Sequence, residues 1–202
     1  MRSKTFAASL FAFFFFFLMA AASQAQQIDA AFGVSTLTAP SSSSAANSSN
    51  YAAQTIGGGT YPGFSFDVLL HKQLGVQTEF YWRASQNTYQ GYQPFRPLFW
   101  DVNAMWLPRL TPRISAEVLG GIGVQDVRFY NNYYTCNYYA GCTTYNTQAK
   151  FVGHFGGGIR FYLTKNIFVR PEAHLYLTAN NNDFSSYHAQ RYGASIGYSF
   201  GK

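Results

Sequence analysis

Three features of the 202-residue sequence predict an all-β fold, an eight-stranded antiparallel up-and-down transmembrane β-barrel. Apolar and polar residues alternate with period two in eight separate segments, as in strands whose two faces meet different surroundings. Connections between the segments are alternately short and long, the sidedness of a barrel that spans an outer membrane. Charged residues make up only 11% of the chain and aromatics 19%, too little charge for the usual coat of a soluble domain. This composition excludes disorder, which needs low hydrophobicity and high charge. Two cysteines are too few for a disulfide scaffold. Past the N-terminus, no apolar run approaches the ~20 residues of a spanning helix.

Residues 1–25 read as an export signal. Arg2 and Lys4 form a basic start, Phe6 to Ala22 an apolar run, and Ser23-Gln24-Ala25 a small-residue cleavage site before Gln26. Residues 26–202 are then a single barrel domain, of a length that encloses one core. Without Arg2 and Lys4 the formal charge falls below the +6 of the whole chain. The remaining basic residues are scattered, so no nucleic acid partner is expected.

The strands follow in order. Ile28, Ala30, Phe32 and Val34 face one way in the first, and Phe64, Phe66, Val68 and Leu70 in the second. Val76, Thr78, Phe80 and Trp82 make the third apolar face, and Leu98, Trp100, Val102, Ala104 and Trp106 the fourth. The fifth carries Ile114, Ala116, Val118, Ile122 and Val124, and the sixth Phe155, Ile159, Phe161 and Leu163. Val169, Ala173, Leu175 and Leu177 form the seventh, and Tyr192, Ala194, Ile196, Tyr198 and Phe200 the eighth. Short turns are expected at 71–74, 108–112 and 165–166, and long loops at 39–60, 85–96, 127–149 and 179–189. Both termini then lie on the short-turn side. Pro62 and Pro171 fall within strand patterns, where a missing donor predicts a lost ladder bond or a bulge.

A soluble lipocalin-like barrel with an interior ligand alternates too, with its apolar face inward. It needs a charged exterior, yet only Lys72, Lys150, Lys165 and Lys202 follow the signal, all at turns, a loop edge or the terminus. Six acids (Asp29, Asp67, Glu79, Asp101, Glu117, Glu172) and Arg83, Arg160, Arg170 and Arg191 fall on the polar phase. In a membrane barrel that phase is the interior. Trp82, Trp100, Trp106, Tyr198 and Phe200 suit aromatic girdles at the two membrane surfaces.

The segment from Gly156 to Glu172 (GGGIRFYLTKNIFVRPE) resembles the penultimate hairpin of the small OmpA/OmpX/opacity-type outer-membrane barrels. Gly120-Gly121-Ile122-Gly123-Val124 is similar to a central strand of that group. Tyr198-Ser199-Phe200 is similar to the aromatic end through which such chains engage the outer-membrane assembly machinery. Gly201-Lys202 beyond the last aromatic, and Ser195 where Gly is commoner, depart from that pattern. The resemblance covers the mature chain. It implies the outer membrane of a Gram-negative-type bacterium, reached through the periplasm, with membrane lipid and lipopolysaccharide as surroundings.

An eight-stranded barrel is just wide enough for its own side chains. The predicted interior ion-pair network is Asp67, Glu79, Arg83, Asp101, Glu117, Arg160, Arg170, Glu172 and Arg191, with His154 and His174 as hydrogen-bonding partners. It reads either as a plug or as a gated ion path whose pairs exchange partners. No enzyme is expected: no His is followed two residues later by Ser, as in barrel lipid deacylases. His188 with Asp183 and Ser185 or Ser186 is ordinary loop composition. No metal and no cofactor are expected.

Cys136 and Cys142 bracket five residues in the third long loop and are expected to form a disulfide in the oxidising periplasm. Tyr130, Tyr133, Tyr134, Tyr138, Tyr139 and Tyr145 surround them, and Tyr-rich loops make adaptable contact surfaces. The Ser-rich run 41–49 is a flexible, exposed segment. The expected role is therefore a non-enzymatic, monomeric barrel that acts structurally or meets an extracellular partner, adhesin-like, through its loops. A narrow gated pore is the first alternative, and the lipocalin-like barrel the second.

Overall fold

The structure, a computed structural model, describes residues 27–40, 55–137, 141–179, 184 and 186–201. The predicted signal and the Ser-rich run lie outside them. Eight long strands are β1 (Gln27–Thr38), β2 (Thr60–His71), β3 (Leu74–Trp82), β5 (Gln93–Trp106), β7 (Ile114–Asn137), β8 (Gly141–Tyr162), β9 (Ile167–Thr178) and β10 (His188–Phe200). Two three-residue strands, β4 (Asn87–Tyr89) and β6 (Arg109–Thr111), pair with residues near the starts of β5 and β7. Each long strand pairs antiparallel with the next. The β5–β7 pairing joins the two arms of the sheet, and β1 pairs with β10 from Ile28↔Phe200 to Thr38↔Gln190. The chain is an all-β, closed, eight-stranded antiparallel barrel.

Closure explains the alternation. With no free edge, every strand has one face towards the lumen and one towards the surroundings. In β1, burial alternates residue by residue from Asp29 to Thr38. Phe32, Phe64, Phe66, Val102, Ile122, Phe155 and Ile196 are exposed on the outside, while Asp29, Asp67, Glu79, Asp101 and Arg160 are buried inside. An apolar exterior around buried charges reverses the pattern of a soluble barrel and suits acyl chains. Among the described residues no helix is long and apolar enough to cross a membrane. Trp82 and Trp106 stand at strand ends as expected for girdles, but Trp100 sits in the middle of β5, opposite Phe80 and Val124.

The prolines leave the register intact. Val34↔Pro62 lies within an unbroken β1–β2 ladder, and the β2–β3 ladder begins one residue later at Gly63↔Tyr81. Around Pro171 the β8–β9 ladder is interrupted between Gly158↔Glu172 and Phe161↔Val169, with the same register on both sides. A missing donor removes local bonding without adding a residue, so no bulge is needed.

Residues 127–149 depart from the loop expected there. β7 and β8 continue as a paired ribbon above the barrel, with a register shift between Tyr130 and Thr135. The last β5–β7 pair is Phe95↔Phe129, so Tyr130 to Asn137 extend beyond the wall by up to ~25 Å at ~3.3 Å per residue. Alternation is lost here because neither face of the ribbon meets lipid, although Tyr and Thr still favour strand geometry.

Close packing inside depends on glycine at particular positions. A Cβ at Gly197 would clash with Cζ of Phe168, whose ring is fully buried. Gly197→Ala is expected to destabilise the barrel by about 1–3 kcal/mol, the usual cost of overpacking. Equilibrium unfolding in urea, read by electrophoretic mobility of unheated samples, measures this; an unchanged midpoint would contradict it.

Candidate functional site

The lumen is filled in three tiers. The upper tier, on the long-loop side, is an aromatic cluster that includes Tyr61, Tyr81, Phe95, Phe99, Phe129, Tyr176 and Phe184. Phe99 and Tyr176 stand 4.8 Å apart between ring centroids, Phe95 and Phe184 5.4 Å, and Tyr89 and Phe129 5.2 Å. The lower tier consists of Leu69, Met105, Leu107 and Leu119 beside Ala31, Tyr162 and Phe168. Between them lies the ion-pair network.

Three arginines organise that network. Arg160 on β8 binds Asp29 and Glu117, reaches Asp67 Oδ2 at 2.6 Å and lies 4.7 Å from the centre of the Phe168 ring. Arg170 on β9 donates to Glu117 Oε1 and Glu172 Oε2, both at 2.8 Å, and to Ser65 Oγ at 3.0 Å. Arg191 on β10 donates to Glu79 Oε2 at 2.7 Å and lies 3.5 Å over the Tyr81 ring. The Tyr81 hydroxyl in turn donates to Glu172 Oε1 at 2.9 Å. Gln77 bonds Glu117 at 3.1 Å, and the Asn103 amide bonds Asp101 at 2.5 Å. His154 Nδ1 is 2.6 Å from Asn103 Oδ1 and 3.2 Å from Asp101 Oδ1.

Asp67, Glu79, Asp101, Glu117, Arg160, Arg170, Glu172 and Arg191 thus converge, joined by Asp29 and both interior histidines. Arg83 does not join them. It lies just beyond the end of β3 at the height of the aromatic tier, against Gly59, and among the described residues it forms no ion pair. Its phase is inward, but Glu79, the acid of its own strand, lies four residues lower. The aromatic tier is what the sequence reading missed. Tyr81, Phe99 and Tyr176 lie on the polar phase of their strands, and Phe95 and Phe129, within segments expected as loops, continue the inward phase of β5 and β7. Large aromatics on a polar phase were the available signal.

The second group of candidates lies on the ribbon. Cys136 and Cys142 are a cross-strand pair and form the expected disulfide. Tyr130 and Tyr145 face each other at 6.2 Å, and Arg128 lies 5.4 Å from the centre of the Tyr145 ring. Tyr133 and Tyr134 are 67% and 75% exposed; Tyr138 and Tyr139 lie outside the described residues. At the root of the ribbon Arg96 and Arg128 are directly opposite on β5 and β7, on the outward phase above Trp100. Like charges in that position repel; Arg128 is offset by Asp126, two residues below it on the same face, and Arg96 donates to the Ala84 carbonyl at 3.3 Å.

Because the disulfide closes only the tip of the ribbon, reduction is expected to leave the barrel's unfolding within about 0.5 kcal/mol, the range of changes away from the core. Proteolysis near 137–141 is expected to accelerate. A shift of the global transition on reduction would contradict this separation. On the last loop, Ser186 Oγ lies 3.3 Å from His188 Nδ1, but its hydroxyl donates to the His188 carbonyl at 2.9 Å in a local turn. Asp183 and Ser185 lie outside the described residues.

A closed eight-stranded barrel with an apolar outside, a charged inside and long connections on one rim is the fold of the small OmpA-like outer-membrane barrels. No family model matches the sequence, and no curated protein matches it. Among solved structures it is similar to neisserial surface protein A, with a TM-score of 0.58 at 8% identity over 86% of this chain and 96% of that one. It is also similar to the N-terminal barrel domain of OprF from Pseudomonas aeruginosa, with a TM-score of 0.56 at 12% identity over 87% and 98%. A third likeness is to Ail, the attachment invasion locus protein of Yersinia pestis, in complex with the heparin analogue sucrose octasulfate. There the TM-score is 0.50 at 15% identity over 86% and 97%. At these identities the likeness is one of fold.

Proposed function

We propose that this chain is a non-enzymatic, monomeric barrel of a Gram-negative-type outer membrane, exported through the periplasm after loss of residues 1–25. Its work is to hold the β7–β8 ribbon outside the cell as a contact surface. The observation that carries this reading is the ribbon itself: paired, disulfide-tied, bearing exposed Tyr133 and Tyr134, and standing above a closed barrel. Tyrosine supplies large contact area at low entropic cost. Apolar tiers above and below the ion pairs support a closed lumen rather than a gated ion path.

Arg96 and Arg128 are the membrane-proximal part of that surface, suited to lipopolysaccharide phosphates at the rim of the bilayer. That a barrel of similar fold, Ail, holds a sulfated sugar supports an anionic-glycan partner for the ribbon as well. The C-terminal Tyr198-Ser199-Phe200 is the segment offered to the assembly machinery.

Replacing residues 130–145 by an Asn-Gly turn tests the reading. Cells displaying the shortened chain are expected to lose adherence to epithelial monolayers and to immobilised heparin, while the barrel keeps its heat-dependent mobility. Equal adherence of both forms would overturn it.

A further inference from the structure

The middle tier is short of positive charge. Six carboxylates, Asp29, Asp67, Glu79, Asp101, Glu117 and Glu172, are buried with three arginines, Arg160, Arg170 and Arg191. The deficit is sharpest on β3 and β5, where Glu79 and Asp101 are directly opposite; Arg191 donates to Glu79 Oε2 at 2.7 Å, and Arg170 stands 3.8 Å from Glu79 Oε1. His154 and His174 close this side. His154 Nε2 is 2.9 Å from His174 Nδ1, and that nitrogen is 3.6 Å from Glu79 Oε2. Two ring nitrogens facing at 2.9 Å have room for one proton between them, so protonation adds at most one charge to the pair. A divalent ion supplies two and uses both lone pairs.

We propose that Glu79, His154 and His174 hold one divalent transition-metal ion inside the barrel. Their donor atoms lie within 4.8 Å of one another and all three residues are buried. Two imidazoles and a carboxylate are a zinc-type donor set, and bonds of ~2.0–2.2 Å place neighbouring donors ~3.3 Å apart in a tetrahedron. The separations of 2.9 and 3.6 Å bracket that value. Binding requires the two rings to turn so that their lone pairs meet on the ion instead of on each other.

The surroundings fix the tautomers this needs. His154 Nδ1 faces Asp101 and Asn103, which leaves Nε2 free to ligate. His174 Nε2 has no hydrogen-bond partner and lies 3.7 Å from Glu172 Oε1, a carboxylate placed to favour the proton on Nε2 once Nδ1 is committed to metal. Such carboxylate–imidazole–metal arrangements orient and strengthen histidine ligands. Glu79 Oε1 is likewise buried without a hydrogen-bond partner, with the Arg170 guanidinium 3.8 Å away. Gly156 provides the space, since a Cβ there would press on the His174 ring. The aromatic tier covers the site from above, so the ion enters during folding.

The test is to unfold the full chain in urea with chelator, then refold it into detergent with Co²⁺, monitoring visible absorption and metal content after gel filtration. One Co²⁺ per chain with ligand-field bands is expected, and Zn²⁺ is expected to displace it. His154→Gln and His174→Gln should abolish the bands, and Asp101→Asn should weaken affinity about 10–100-fold. His71→Gln/His188→Gln, which removes the exposed histidines, should retain them. A wild-type barrel that folds, by its heat-dependent mobility, yet binds no metal would overturn the proposal and leave a proton-sharing pair. So would bands that survive both interior substitutions. If those variants fail to fold, X-ray absorption of the wild-type Co²⁺ form decides between two imidazole ligands and none. Loss of this site leaves the surface reading intact, because the two share no residue.

Discussion

Arg160→Ala is expected to cost the barrel about 3–5 kcal/mol, the range for removing one partner of a buried ionic cluster. The guanidinium contacts Asp29, Asp67 and Glu117, drawn from three different strands, and none of the four residues reaches solvent. Without it three carboxylates remain, and among the described residues the arginine still in contact with them is Arg170, 3.8 Å from Asp67 and 2.8 Å from Glu117. The loss should fall substantially when Asp67→Asn and Glu117→Gln are added, because the penalty belongs to the orphaned charges and not to the missing side chain. Urea titrations in detergent, followed by tryptophan fluorescence, measure both. A loss below about 1 kcal/mol, the worth of an exposed ion pair, would mean that water reaches the cluster. The same variant in a planar bilayer is expected to stay electrically silent, since the tiers on either side of Arg160 are untouched. Steady current steps would show that the arginine itself seals the lumen.

Phe95→Ala is expected to be comparably severe, about 3–5 kcal/mol, as for other buried Phe truncations. The Phe95 ring is fully buried and meets Tyr89 at 6.2 Å, Phe129 at 6.1 Å and Phe184 at 5.4 Å. Its removal opens a cavity where β5, the β4 segment and the chain before β10 are joined. Phe95→Leu, which restores most of the volume, should recover most of the loss. Comparable unfolding midpoints for Phe95→Ala and wild type would show that the aromatic tier contributes little to stability. The two substitutions act on tiers of different chemistry, and their separation predicts near-additive effects.

The fold was legible in the sequence because a membrane barrel writes both of its surroundings into each strand. Phe64, Phe66 and Val68 against Ser65 and Asp67 leave no doubt about which side meets lipid once charge is seen to be scarce. Where a strand leaves the bilayer that contrast disappears, so 127–149 reads as loop, although Tyr130 pairs with Tyr145 and 135–137 pair with 141–143. The site was legible in part. Charges on the inward phase mark the network, but which arginine meets which acid depends on height and on neighbouring strands, and Arg83 lies too high. Asn103 and Gln77 carry no charge to draw attention, and the interior tyrosines looked like ordinary strand residues. The facing of His154 and His174 follows from adjacent strands, but their 2.9 Å separation depends on Gly156 letting the His174 ring approach.

The seam between β1 and β10 has a consequence for how the barrel is made. Its pairs unite the two ends of the domain, and Arg160 clasps Asp29 across 131 positions of chain. Closing so long a loop forfeits chain entropy before any reward arrives, and such high contact order slows assembly. Until β10 arrives, β1 offers an open edge of unsatisfied amides to any other strand. The ring therefore gains its stability in a late event, and the earlier strands have to be kept from premature pairing until the last one is available.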